Sequence, residues 1–216
     1  MSYTVEYVDD FLSKEDFLRV RQFILDPYVS WMTQKSIKRV STKEQFSQDF
    51  LQKPVTDPFF SKYIFTKIQD FRPQLKSMKP IEVYFNGQWP GRDGGFHSDN
   101  GKKTALLYVS DYDPEWGGFT QFLSDAGNEI IISPRTNRLV LFDAPIKHKA
   151  YSFCNQDCPM RISFAYKIES KSRRKLLMTS LRHWLIPRKM VLRIGRMVMR
   201  LMFVLAVHLL MISLSV

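Results

Sequence analysis

Residues 104–142 read TALLYVSDYDPEWGGFTQFLSDAGNEIIISPRTNRLVLF. Four short runs, TALLYVS, FTQFL, EIIIS and RLVLF, are rich in β-branched and aromatic residues, and they are separated by the turn signals DPEWGG, SDAGN and SPRTN. Working outward, IEVYF precedes this stretch, and KAYSF and RISFAY follow it. Seven or eight closely spaced strands over residues 79–168, with no helical run between them, point to a β-sandwich or jelly roll rather than to a parallel α/β sheet. The expected class is α+β, mainly β.

Upstream of these runs, the first seventy residues read as a strand followed by helical starts. Ser13-Lys-Glu-Asp16 reads as an N-cap with an acid at N3, ahead of Phe17, Leu18, Val20, Ile24 and Leu25 at helical spacing, and Asp26-Pro27 closes that helix. A second start is expected at Ser41-Thr-Lys-Glu44, a capping box before Phe46 and Leu51, and a third after Asp57-Pro58. At 216 residues the chain suits one sizeable core with extras. We therefore expect one domain over residues 1–169, with helical support at 1–78 and a β core at 79–169, followed by a tail at 170–216.

The net charge of +11 is not spread evenly. Residues 167–216 hold eleven Lys/Arg and one acid, Glu169, which leaves a nearly neutral body of 21 basic and 20 acidic side chains. A nucleic-acid reading from high pI therefore loses its force for the body. The two cysteines, Cys154 and Cys158 in CNQDC, are too few for a structural zinc site and read as reduced thiols in a loop. With no apolar N-terminal signal segment, an intracellular, cytoplasmic protein is expected.

The stretch GGFHSDNG, Gly94 to Gly101, sets His97 two residues from Asp99 between glycines. Such a pair alone caps turns more often than it binds metal. Two histidines and one carboxylate on one face of an octahedron hold non-haem Fe(II) and leave three positions open, so a third ligand is needed. The other histidines are His148, His183 and His208, and only His148 falls in the β-rich part. A 2-oxo acid filling two open positions would present a far carboxylate suited to arginine's planar fork. Arg161, thirteen residues beyond His148 in PMRISFAY, either points to solvent or meets an anion, and Ser163 projects from the same strand face.

In this combination His97-Ser-Asp99, His148 and Arg161 resemble the HxD…H…R pattern of the Fe(II)/2-oxoglutarate-dependent dioxygenases, in particular the prolyl 4-hydroxylase-like branch. The resemblance runs from about Val5 to Lys167. It takes in Tyr84-Phe-Asn-Gly87, Thr104-Ala-Leu-Leu-Tyr108-Val-Ser and Trp116-Gly-Gly-Phe-Thr120. It implies a double-stranded β-helix (jelly roll) supported by N-terminal helices, with iron held by His97, Asp99 and His148. It also implies 2-oxoglutarate anchored by Arg161, with Ser163, Tyr84 and Tyr108 as further contacts. The implied reaction uses O2 to hydroxylate a protein, peptide or small amino-acid-like substrate and releases succinate and CO2, with ascorbate as a further candidate cofactor. Asp99 stands where related halogenases carry a small residue. Lys167 stands where AlkB-type nucleic-acid demethylases carry a second arginine. The long loop QWPGRDGG and the CNQDC insertion bear on what substrate enters.

The tail changes composition again. Lys189, Arg193, Arg196 and Arg200 form one helical stripe, and the run LMFVLAVHLLMISLSV follows. As helix, those last sixteen residues reach about 24 Å, short of a hydrocarbon core of roughly 30 Å. Residues 188–216 read as a membrane-surface element, as a helix packed on the body or a partner, or as an extension from a misread gene end. Two non-enzymatic alternatives stand beside the dioxygenase: a jelly-roll binding module, and a membrane-tethered interaction protein driven by the tail.

Overall fold

The computed structural model describes residues 3–28, 30–35, 49–124 and 127–171. The capping box at Ser41, the tail helices and His183 and His208 lie outside the described residues. Among the described residues no helix is long and apolar enough to cross a membrane.

Two antiparallel sheets carry the fold. In chain order the strands are β1 (Val5–Val8), β2 (Met32–Lys35), β3 (Asp49–Pro54), β4 (Met78–Gln88), β5 (Lys103–Tyr108), β6 (Thr120–Leu123), β7 (Glu129–Ile132), β8 (Leu139–Asp143), β9 (Lys147–Ala150) and β10 (Arg161–Ser170). The larger sheet runs β1-β8-β5-β10-β4-β3-β2, and the smaller runs β7-β6-β9. All seven runs named between residues 79 and 168 form strands, although β9 starts at Lys147 and so takes in His148 ahead of the KAYSF run.

The helical reading of residues 1–78 needs correction. The expected opening strand is β1, but that segment also supplies β2 and β3, and Leu51 lies in β3, paired with Gly87, rather than in a helix. Helix α1 (Lys14–Leu25) starts as expected, with Ser13 accepting from the Asp16 amide at 3.2 Å. That cap contributes about 1 kcal/mol. After Pro58 a π-helical turn, Phe59–Ile64, leads into α2 (Phe65–Phe71).

Alternation along β10 builds both of the faces that matter. Phe164 and Tyr166 point outward to the helices, where Phe164 stacks on Phe85 at 4.3 Å and the Tyr166 hydroxyl donates to the Phe60 carbonyl at 2.6 Å. Val20, Ile24, Phe60, Ile64, Phe65 and Ile68 close this layer. Each fully buried aromatic or aliphatic side chain there contributes about 1.5–3 kcal/mol. The residues between them, Arg161, Ser163, Ala165 and Lys167, share the opposite face. In register on that face stand Tyr84 beside Ala165, Asn86 and Tyr108 beside Ser163, Gln88 beside Arg161 and Thr104 beside Lys167. The smaller sheet covers part of this inner face through Tyr108, Phe122, Ile132, Val140, Phe142 and Ile146. Polar residues thus line an interior bounded by apolar contacts.

Candidate metal centre

The His97 segment belongs to neither sheet, and backbone bonds dock it on the margin of the smaller one. His97 and His148 exchange amide-to-carbonyl bonds at 3.0 and 2.9 Å, the Asp99 amide donates to Ala144 at 2.8 Å, and that of Gly94 to Ala150 at 2.7 Å. This pairing brings residues 51 positions apart to a ring separation of 4.3 Å.

The imidazoles are oriented by carbonyls. His97 Nδ1 lies 2.9 Å from the Gly95 oxygen, and His148 Nδ1 lies 3.0 Å from the Ile146 oxygen. A carbonyl only accepts, so each Nδ1 carries the proton and each Nε2 keeps its lone pair. His97 Nε2 is 3.7 Å from Asp99 Oδ1, and His148 Nε2 is 3.5 Å from Asp99 Oδ2. One ligand atom from each of the three side chains lies within 4.8 Å of the others. Octahedral bonds of about 2.1 Å put neighbouring ligand atoms about 3 Å apart, so a small contraction closes this cage on a divalent ion. The donor set, two imidazoles and one carboxylate, fits iron.

Charge in the cage suits a cation. Burial would push the Asp99 carboxyl up, but Lys167 and His148, with hydrogen bonds from Lys167 and Thr104, outweigh it and hold the group below its ordinary value. Thr104 Oγ1 donates to Asp99 Oδ2 at 2.7 Å, and the Lys167 ammonium pairs with the same oxygen. Burial drives His148 down to about 4, with the Asp99 charge opposing and His97 and Lys167 assisting, so the ring is neutral at pH 7. Burial, with the Asp99 and Glu82 charges, pushes the Tyr84 phenol well up. It therefore stays protonated.

Arg161 occupies a second station on the same inner face. Only 2 % exposed, it does not take the solvent-facing alternative. Its Nε donates to the Gly118 carbonyl at 2.7 Å, Nη1 to Gln88 Oε1 at 2.8 Å and Nη2 to Thr120 Oγ1 at 3.0 Å. These three partners are neutral, and the Tyr108 hydroxyl interacts with the guanidinium as well. Burial pulls the guanidinium down from its ordinary value, with Tyr108 opposing, yet an arginine stays charged. Tyr108, raised by its own burial, lies under Arg161 and hydrogen-bonds Thr120 at 2.7 Å. Gly118, at φ +73°, is required here, because a Cβ would fall 2.5 Å from the Phe153 ring. Ser163 is buried between Tyr108 and Asn86. His148 pairs with Phe122 on β6, and Arg161's partner Thr120 lies two residues along that same strand, so one strand of the smaller sheet borders both stations.

No protein-family model matches the chain, and no curated protein matches it in sequence. Solved structures do. A prolyl-4-hydroxylase from Pseudomonas putida aligns at TM-score 0.58 and 16% identity over 77% of this chain and 93% of that one. A prolyl hydroxylase from Trichoplax adhaerens, in complex with a hypoxia inducible factor peptide fragment, aligns at TM-score 0.61 and 16% identity over 80% and 86%. The chain has the fold of the Fe(II)/2-oxoglutarate-dependent oxygenases. HygX from Streptomyces hygroscopicus, with nickel and 2-oxoglutarate bound, extends the likeness at TM-score 0.57 and 11% identity over 77% and 83%.

Inside this fold, some polar groups of the interior carry no sign of their contacts in the sequence, even where, as with Thr104 and Thr120, they end a run that the resemblance takes in. Gln88, Thr120 and Thr104 are each legible only once the register is known. Lys167 carries one signal: six positions from Arg161, it must share that residue's strand face.

Proposed function

We propose that the protein is an Fe(II)- and 2-oxoglutarate-dependent hydroxylase built on a double-stranded β-helix (jelly roll), with His97, Asp99 and His148 as iron ligands. The observation that carries this reading is the cage itself: two deprotonated Nε2 atoms and a buried carboxylate, all within 4.8 Å. Iron, when bound, supplies the activation of O2 that couples hydroxylation of a C–H bond to decarboxylation of the oxo acid to succinate and CO2.

The chain's own residues bind and orient. The imidazole tautomers are fixed by the Gly95 and Ile146 carbonyls, so both rings face the ion. Arg161 takes the distal carboxylate of 2-oxoglutarate with its planar guanidinium, and Tyr108 and Ser163 border that end. Phe122 and Phe142, packed on the His148 ring at 5.8 and 4.8 Å, exclude water from the ligand side. Tyr84, kept protonated, is a hydrogen-bond donor toward the acid end of the site.

For the substrate we propose a protein, peptide or amino-acid-like molecule. Trp89 and Phe96, 53% and 45% exposed, flank the His97 segment and offer it an apolar entrance. The similar structures include one holding a peptide and one holding hygromycin B, so the fold accommodates either size.

The test is an anaerobic titration of the full chain with Fe(II) and then 2-oxoglutarate. A visible charge-transfer band is expected in the wild type and not in His97→Ala. Equal spectra in both would end this reading.

A further inference from the structure

We propose that Lys167 is the internal counter-ion of the metal cage: its ammonium holds Asp99 while the cage is empty of metal, and gives that oxygen up when a divalent ion binds. The inference rests on the reading of His97, Asp99 and His148 as metal ligands, and concerns how tightly this chain lets them bind.

Lys167 sits in β10 between β4 and β5, opposite Thr104 and Glu82. It is 8% exposed. A lysine so enclosed is rare without a paired anion, and Asp99, with a side chain 5% exposed, needs a cation for the same reason. Arg161 and Lys167 have the same parity on β10, with the small, buried Ser163 and Ala165 between them and the Tyr84 ring 5.8 Å from Nζ.

The ammonium meets Oδ2, the oxygen that also accepts from Thr104 and lies 3.5 Å from His148 Nε2. A divalent ion seated among the three ligands must then share one buried carboxylate with a second cation. Charges of +2 and +1 within about 5 Å repel strongly at any dielectric a protein interior supplies. A four-carbon stem lets the ammonium swing away from Asp99 along the inner face, but the lost pairing is charged against metal affinity in full. The same pair makes the metal-free fold tolerable, because without it Asp99 is a buried, desolvated carboxylate. The two effects are opposite in sign. A residue that only props up the fold would show the second and not the first.

The test compares Mn(II) binding by calorimetry and thermal melting of the chelator-treated full chain in wild type, Lys167→Met, Lys167→Arg and His97→Ala. Lys167→Met is expected to lower the melting temperature of the metal-free protein and to bind Mn(II) at least about tenfold more tightly. Lys167→Arg, which keeps the charge, should stay within about threefold of wild type. Lys167→Gln keeps a donor toward Oδ2 without the charge and gives the same comparison where the methionine variant does not fold. Equal or weaker Mn(II) binding in both uncharged variants overturns the inference while the metal site stands. Absence of Mn(II) binding in the wild type as well as in His97→Ala overturns the metal site and this inference with it.

Discussion

Replacing Arg161 with methionine isolates the cosubstrate station from the metal station. The guanidinium is buried, and its three protein partners are neutral, so its charge is uncompensated until an anion arrives. A charge-assisted hydrogen bond contributes about 1.5–3 kcal/mol, and a bidentate pair taken toward the lower end of that range puts the loss on removing it near 3–4 kcal/mol. At about 1.4 kcal/mol per tenfold, 2-oxoglutarate binding should weaken by roughly a hundredfold to a thousandfold. The fold should survive, because exchanging a desolvated cation for an apolar chain of similar length offsets much of the cost of leaving Gln88, Thr120 and the Gly118 carbonyl with fewer partners. The assay is calorimetric titration of 2-oxoglutarate into Mn(II)-loaded protein, with a separate Mn(II) titration as control. Mn(II) affinity should stay within about threefold of wild type. A variant that keeps wild-type affinity for both ligands would show that Arg161 is a structural cation and that the cosubstrate sits elsewhere.

With metal removed by chelator, burial holds His148 near 4 in the folded chain, against about 6.5 unfolded. Between those values the unfolded chain binds the proton and the folded one does not, so stability rises with pH across the window and is lost on acidification, by about 3 kcal/mol in all. Melting temperature followed from about pH 7 to about pH 4.5 should fall more steeply in wild type than in His148→Gln, and parallel curves would contradict this. Gly118→Ala forces a Cβ against the Phe153 ring at φ +73°. It should cost about 1–3 kcal/mol, read as a lower melting temperature together with weaker 2-oxoglutarate binding, because the Gly118 carbonyl holds Arg161. Phe164→Ala empties the ring stack between Phe85 and Tyr166 and should cost about 3–5 kcal/mol by chemical denaturation, with Mn(II) affinity unchanged in the protein that remains folded.

How much was legible beforehand follows from what each residue has to satisfy. The seven strands from β4 to β10 showed because alternation, aromatic content and glycine-bearing turns repeat within a few residues. His97, Asp99, His148 and Arg161 stood out because their chemistry is specific and their order unusual. β3 did not, since Asp-Phe-Leu-Gln-Lys-Pro is half polar and pairs with β4 over only four residues, Leu51 to Pro54. The environment of Arg161 was equally hidden: Gln88 comes from β4 and Gly118 and Thr120 from the approach to β6, and only the folded sheets bring these two segments to one guanidinium. Lys167 was visible as a residue type but not as the partner of Asp99, because that contact needs the register of β10 against β5.

The docking of the His97 segment has a consequence for how such a protein can be remade. Gly94 and His97 bond to the smaller sheet and Asp99 to Ala144, while within Trp89 to Arg92 the Gly91 amide donates to Phe153 and the Arg92 carbonyl accepts from Gln88, so that turn is tied down through its backbone. Side chains there, exposed Trp89 above all, can be exchanged without touching those backbone ties or the two imidazoles, leaving the choice of guest molecule separable from the proposed metal cage.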